Sequence, residues 1–354
     1  MTSSLPIHVT GSAEPRPDAL RIAYCDGSAD RPLRDGADVE LSHWIPNRTP
    51  ERYRADTSTE IALRFAADPD ALRVDLVVNN HVDVDGVLSV FAVAHPTTAL
   101  EHRTTLIGAA EAGDFWAWAE LPALALCEGL TVLQERLEGQ DPGDVYRACI
   151  ERIPALLLES AVRDPDVAPG LRVCSAACDL IDSGEISARS VSPDLAAFLV
   201  PARVVAGQMD LLRESVPFNA PFARYGALVP HARYRVAPQQ VHLVSIEVPG
   251  GWLHEIWLPG YAWADVVRRP LPHGLGELRG SARIVAMPGL RAAVGALAAE
   301  ETADGRWSVA DHVSAFDGLG ARGFPVVAGF LGADGRPAAS RLPPDAVIAR
   351  LMGT

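Results

Sequence analysis

The stretch Leu72-Arg-Val-Asp-Leu-Val-Val78-Asn79-Asn80-His81-Val-Asp83-Val-Asp85-Gly86-Val-Leu-Ser89 decides how the chain is read. Residues 72–78 form the clearest strand in the sequence, and it runs straight into three potential metal ligands spaced two apart, His81, Asp83 and Asp85. Side chains two apart on extended backbone project to the same side, so one imidazole and two carboxylates can converge beyond the strand's carboxyl end. Gly86 lets the chain turn sharply into a helix through Val87, Val90 and Phe91 toward His95, where Pro96 stops it. The first turn of that helix has free N–H groups that can hold a phosphate. Open α/β sheets place their ligands at this edge. The ligand set suits Mn²⁺ or Mg²⁺, one ion or two, because carboxylates can bridge. The simpler alternative is a loop in which Asp83 or Asp85 only caps the helix.

Working outward, residues 20–26 and 38–42 alternate as short strands, and Thr57-Ser-Thr-Glu60 has the spacing of a capping box before the apolar Ile61, Leu63 and Phe65. A helical pattern runs from Trp116 to about Glu159 with a break at 139–143, a connection covers 163–170, and a further helical pattern covers 193–214. Val241 to Val248 and Trp252 to Leu258 flank Pro249-Gly250-Gly251 as a hairpin, after which strands and helix alternate to the end. This order predicts an α/β protein, a mostly parallel sheet with flanking helices. It divides into a polar N-terminal segment (1–19), an N-terminal α/β domain with a helical section (20–229) and a smaller C-terminal α/β domain (230–354) closing over the site.

The chain has 354 residues, 48% hydrophobic and 21% charged, with a mean hydropathy of +0.10, enough to bury a large core. Its formal charge is −14, and all 31 basic residues are arginine. An acidic surface does not gather polyanions, so bulk nucleic-acid and anionic-membrane binding are not expected. With no lysine there can be no phosphate-binding P-loop, and no Gly-x-Ser-x-Gly elbow is present. Five scattered cysteines without a CxxC pair, together with a polar N-terminus and no long apolar run, predict a cytoplasmic protein with reduced thiols.

His81-x-Asp83-x-Asp85-Gly86-x-x-Ser89 after an apolar strand resembles the first motif of the DHH phosphoesterase superfamily. A weaker similarity to that family's C-terminal glycine-rich loop lies at residues 316–330. The resemblance implies cleavage of phosphodiester or phosphoanhydride bonds with one or two Mn²⁺ or Mg²⁺ ions. The chain contains no Asp-His-His triplet, which favours, as an alternative, a non-catalytic relative that keeps a metal or anion site. Asp83-Val-Asp85-Gly-Val-Leu88 also resembles the nucleophile motif of haloacid dehalogenase phosphatases, with Asp83 as nucleophile.

Asp114 in Glu111-Ala-Gly-Asp-Phe-Trp116 reads as a turn at the sheet edge after the apolar stretch 104–110, and His43 follows the strand 38–42. Both are candidate ligands beside His81, Asp83 and Asp85. Arg48, Arg103 and Arg322 are candidates to hold a phosphate, since a guanidinium makes bidentate phosphate contacts. His254, among Trp252, Trp257 and Trp263, is a candidate for an aromatic-lined substrate pocket. The expected activity is hydrolysis of a small or nucleotide phosphoester, with Asp83 and Asp85 in the catalytic centre.

Overall fold

The computed structural model describes residues 5–353. The chain divides into two compact units, the first of residues 1–172 with returns at 219–222 and 264–269, the second of the remaining residues.

The first unit is built on four parallel strands, β1 (Ile7–Val9), β2 (Ile22–Cys25), β3 (Asp38–Leu41) and β4 (Leu76–Asn79), in the order β1-β4-β2-β3. β2 and β4 are buried at every residue, as expected of a parallel sheet covered on both faces. Between β3 and β4 the chain crosses over β2 through α1 (Ser58–Ala67). Thr57 caps α1, its hydroxyl accepting from Glu60 N (3.2 Å), as the capping-box spacing predicts. α2 (Val84–Ala94) follows β4 and is buried along its whole length, with Asp85 and Ser89 its polar residues. Beyond it lie α3 (Pro96–Glu101), α4 (Arg103–Phe115), α5 (Leu121–Arg136), α6 (Pro142–Leu156) and α7 (Ala168–Asp182), which leads into the second unit.

Three expectations change here. The strand read as 72–78 begins only at Leu76, because its parallel partner β2 begins at Ile22, directly opposite. The segment 1–19 contains β1, paired with β4; its first four residues lie outside the described residues. The stretch 104–110 is part of α4, so Asp114 sits in the last turn of a helix rather than in a turn after a strand.

The second unit carries a six-stranded sheet in the order β11-β13-β8-β7-β6-β5, from β5 (Ser187–Ser192), β6 (Leu195–Val200), β7 (Val241–Val248), β8 (Gly251–Trp257), β11 (Arg306–Val309) and β13 (Val326–Leu331). A smaller sheet holds β9 (Leu275–Arg279), β10 (Ala282–Val285) and β12 (His312–Val313), and the helices are α8 (Pro230–Val236), α9 (Pro288–Glu300) and α10 (Pro344–Met352). β7 and β8 form the expected hairpin. The expected helix over 193–214 is instead the strand β6 and short turns, because Leu195-Ala-Ala-Phe-Leu-Val200 pairs in parallel with β7. That pairing draws residues 187–200 into the second unit, which therefore starts near Val173 rather than 230.

The return at 219–222 is fastened to the first unit by Glu128 of α5, whose Oε2 accepts from Phe222 N (2.8 Å). Burial raises the Glu128 carboxyl from 4.5 to about 7. A carboxyl raised on folding contributes stability that is complete below pH 4.5 and is lost as the pH rises through 7. Glu128→Gln keeps the acceptor and removes the titration. In urea unfolding it is expected to match the wild type near pH 4.5 and to exceed it by about 3 kcal/mol at pH 8. Equal stabilities at both pH values would show that Glu128 ionises freely in the folded state.

Candidate metal centre

The carboxyl ends of β2, β3 and β4 deliver Asp26, His43 and the His81–Asp85 loop to one edge of the sheet, and Asp114 joins them from the last turn of α4. Asp26 leaves β2 with φ of 51°, a left-handed backbone that turns the chain just past the strand. The four aspartates are each 3% exposed or less and His43 is fully buried.

Asp26 stands between the two imidazoles. Its Oδ2 lies 2.9 Å from His81 Nε2 and its Oδ1 3.6 Å from His43 Nε2. His81 Nε2 also faces Asp83 Oδ2 at 3.0 Å, and His43 Nε2 faces Asp85 Oδ2 at 3.5 Å and Asp114 Oδ2 at 3.2 Å. Two trios that could each hold a metal ion result, Asp26–His81–Asp83 and Asp26–His43–Asp85, with Asp26 common to both.

Both imidazoles are tied at the far nitrogen. His43 Nδ1–H donates to Asp56 O and His81 Nδ1–H to Asn80 Oδ1, each at 2.7 Å. This fixes the tautomer that presents Nε2 to the carboxylates, the usual way a ligating histidine is oriented. Asn80 is held in turn by donating to Ser28 O (3.0 Å), and Trp44 lies edge-on to His81 with ring centroids 5.2 Å apart.

The helix termini also donate to two of these carboxylates. Asp83 caps α2, its Oδ1 accepting from Gly86 N (2.7 Å), while Asp85 accepts from Ser58 N and Thr59 N (2.7 Å each) at the start of α1. Capping and converging on the centre are thus done by different oxygens of Asp83, and the helix dipoles favour the negative charge. Asp114 has no such help. It is near a helix C-terminus, where a carboxylate is disfavoured, and among the described residues no backbone N–H donates to its oxygens or to Asp26 Oδ2. Carboxylate oxygens left this way, with imidazole Nε2 atoms facing them, fit a divalent cation that prefers oxygen and imidazole donors.

The protons at the centre follow from the same geometry. Burial disfavours charge on His43, but the hydrogen bond to Asp114 and the charges of Asp85, Asp114 and Asp26 outweigh it and raise its pKa to about 10. His81 is raised likewise, its burial outweighed by Asp83 and Asp26. Burial pushes Asp85 up to about 7 and raises Asp114 well above the ordinary carboxylate range, with neighbouring carboxylates adding to the effect. For Asp26 burial acts upward too, but His81 and His43 hold the carboxyl below its ordinary range.

Of the residues singled out in the sequence, His43, His81, Asp83, Asp85 and Asp114 meet here. Arg48 does not touch them; it is exposed in the loop after β3, and its backbone N donates to Glu40 Oε2 (2.7 Å). Arg103 is exposed at the start of α4, about 16 Å along the helix from Asp114. In the second unit, Arg322 is buried against Glu255 (Nε to Oε1, 2.6 Å) and also donates to the carbonyls of Leu211 and Glu214. His254 accepts from Ser245 Oγ and donates to Leu342 O, both at 2.9 Å, and burial pushes its pKa down to about 4. These two are structural members of that unit's core. Asp26 is the residue the sequence reading passed over. Its signal is the Asp26-Gly27 pair directly after an apolar strand.

Two outcomes test the centre. Uptake of divalent cations at pH 7 should expel protons from the imidazoles and from Asp85 as these groups become ligands, about two or more per chain when both trios fill, measured by calorimetry in buffers of different ionisation enthalpy; uptake without proton release would place the ion elsewhere. A methyl group at Gly86 would come within 2.5 Å of Asn79 Nδ2, 2.8 Å of Asp83 Oδ1 and 2.9 Å of Tyr146 Oη. Gly86→Ala should therefore lower metal affinity at least about 10-fold through displaced ligand supports, and unchanged affinity would show that the loop adapts freely.

Comparison with curated proteins and with solved structures gives no match. Among the described residues no helix is long and apolar enough to cross a membrane. Residues 24–273 match the family of unknown function DUF6687, a span that begins two residues before Asp26 and takes in the whole centre, and the chain belongs to that family.

Proposed function

We propose that the chain is a metal-dependent phosphohydrolase, holding one or two Mn²⁺ or Mg²⁺ ions and cleaving a phosphodiester or a small phosphorylated compound. The observation that carries this reading is the shared Asp26 carboxylate, with one oxygen toward each of two imidazoles whose Nε2 atoms are already aimed inward. Divalent cations in such a centre supply the Lewis acidity that activates water and neutralises the charge developing on a phosphoryl group.

The protein's own part is positional. Asp26 sets the spacing of the two trios. Asp83 and Asp85 hold their trios to the starts of α2 and α1, so the centre is built on rigid elements. Asp56 O and Asn80 keep the imidazoles in the ligating tautomer. A pocket of about 460 Å³ opens between the loops after β2 and β3, lined by Ser28, Arg31, Glu40 and Arg48 among others. Its Ser28 wall is bonded to Asn80, the residue that orients His81. Arg31 and Arg48 on this wall would bind an anionic group of the substrate away from the metal centre.

The test is hydrolysis of bis(4-nitrophenyl) phosphate and 4-nitrophenyl phosphate with added Mn²⁺ or Mg²⁺. Turnover should be metal-dependent and leave no phosphorylated aspartate. Asn80→Ala should reduce it about 10- to 100-fold by loosening His81. Metal binding without hydrolysis of any phosphoester would overturn the enzyme reading in favour of a binding protein. Trapping of Asp83 by beryllium fluoride would overturn the mechanism in favour of an aspartyl-phosphate route.

A further inference from the structure

The second unit contains a cavity of about 40 Å³ lined by apolar side chains such as Leu212, Val244 and Ile246, by Gln208 and Tyr225, and by three arginines, Arg224, Arg322 and Arg233 of α8. Arg233 is 4% exposed. Its Nη1 donates to Leu228 O (3.1 Å) and its guanidinium lies over the Trp257 ring at 4.3 Å, but Nε and Nη2 are buried without a hydrogen-bond partner among the described residues. The one carboxylate lining the cavity, Glu255, is committed elsewhere: Oε1 to Arg322 Nε (2.6 Å) and Oε2 to Trp257 Nε1 (2.9 Å). Burial lowers the Arg233 pKa only to about 10, so it is charged at neutral pH.

Two buried guanidinium groups therefore share one carboxylate, and an uncompensated buried cation with unmet donors is strongly disfavoured. Water could accept from Nε and Nη2, but it would leave the charge unbalanced. Adjacent N–H donors on one edge of a guanidinium suit a single anion. A water-sized sphere needs about 10–15 Å³, so the cavity admits an ion of a few atoms and excludes a nucleotide or phosphodiester. We infer that this cavity is a binding site for one compact monovalent anion, of the size of chloride, nitrate or formate, held by Arg233. The site is independent of the metal centre. Its lining comes from β7, β8, α8, the segments 208–217 and 224–230, and Arg322, so the anion fastens those segments to the sheet.

The test uses the full chain at fixed pH and ionic strength, with sodium gluconate replaced stepwise by chloride, nitrate or formate. The melting temperature should rise saturably with each small anion. In Arg233→Met the rise should vanish. Because that variant removes a buried side chain and can fail to fold, Val244→Met provides a second one, filling the cavity while keeping Arg233, and it too should lose the response. On the unmodified protein, chlorine-35 resonance lines should broaden and sharpen again when nitrate competes. Equal melting temperatures in gluconate and chloride without line broadening would overturn the proposal, leaving only water in the cavity. A response undiminished in both variants would overturn it equally, by placing the anion elsewhere.

Discussion

Four buried carboxylates within a few ångströms of one another repel strongly where the effective dielectric is low. Asp26, Asp83, Asp85 and Asp114 are in that position, and much of the first unit is arranged around balancing them. The starts of α1 and α2 point their free N–H groups at Asp85 and Asp83, two imidazoles carry protons, and Asp85 and Asp114 titrate upward. Each of these devices substitutes for positive charge. A site that invests both helix termini and both histidines in offsetting its own repulsion is one whose resting state favours cations, which is why the metal reading follows from electrostatics and not only from the list of ligands.

The contrast among the histidines makes the same point. His254 is as enclosed as His43, but both its ring nitrogens meet neutral partners, a hydroxyl and a carbonyl, and burial outweighs the Leu342 carbonyl and the more distant Glu301 charge to lower its pKa. His43 meets a carbonyl on one side and three carboxylates on the other. Burial by itself therefore does not distinguish a core histidine from a ligand; the charge facing its second nitrogen does. Among the arginines the same logic separates Arg322, closed in an ion pair, from Arg233, which has no carboxylate of its own.

How much was legible in the sequence follows from how local each signal is. His81, Asp83 and Asp85 lie within five residues after one strand, so their convergence is a property of a single segment. The helix start at Thr57 and the β7–β8 hairpin are local too; Thr57 caps α1 as read, although the Glu60 carboxylate turns to Arg64 and Arg268 instead of closing the box, and the hairpin forms. Asp26 depends on β2 and β4 being neighbours, a pairing across fifty residues that no local pattern encodes. Asp114 was found through a mistaken turn; it reaches the centre because α4 ends there. The strand β6 read as helix because Leu195-Ala-Ala-Phe-Leu-Val200 has no alternation, being buried on both faces beside β7. Arg322 and His254 carry residue types common in active sites, and only their partners reveal that they are structural.

The central claim is that Asp26 joins two cation sites, and electron paramagnetic resonance of the Mn²⁺-loaded protein, with the metal counted by elemental analysis, tests it most directly. Two manganese ions per chain with an exchange-coupled spectrum, and loss of that coupling in Asp26→Ala, are the predicted results. A single uncoupled ion, or a coupled pair that survives the loss of Asp26, would contradict the account.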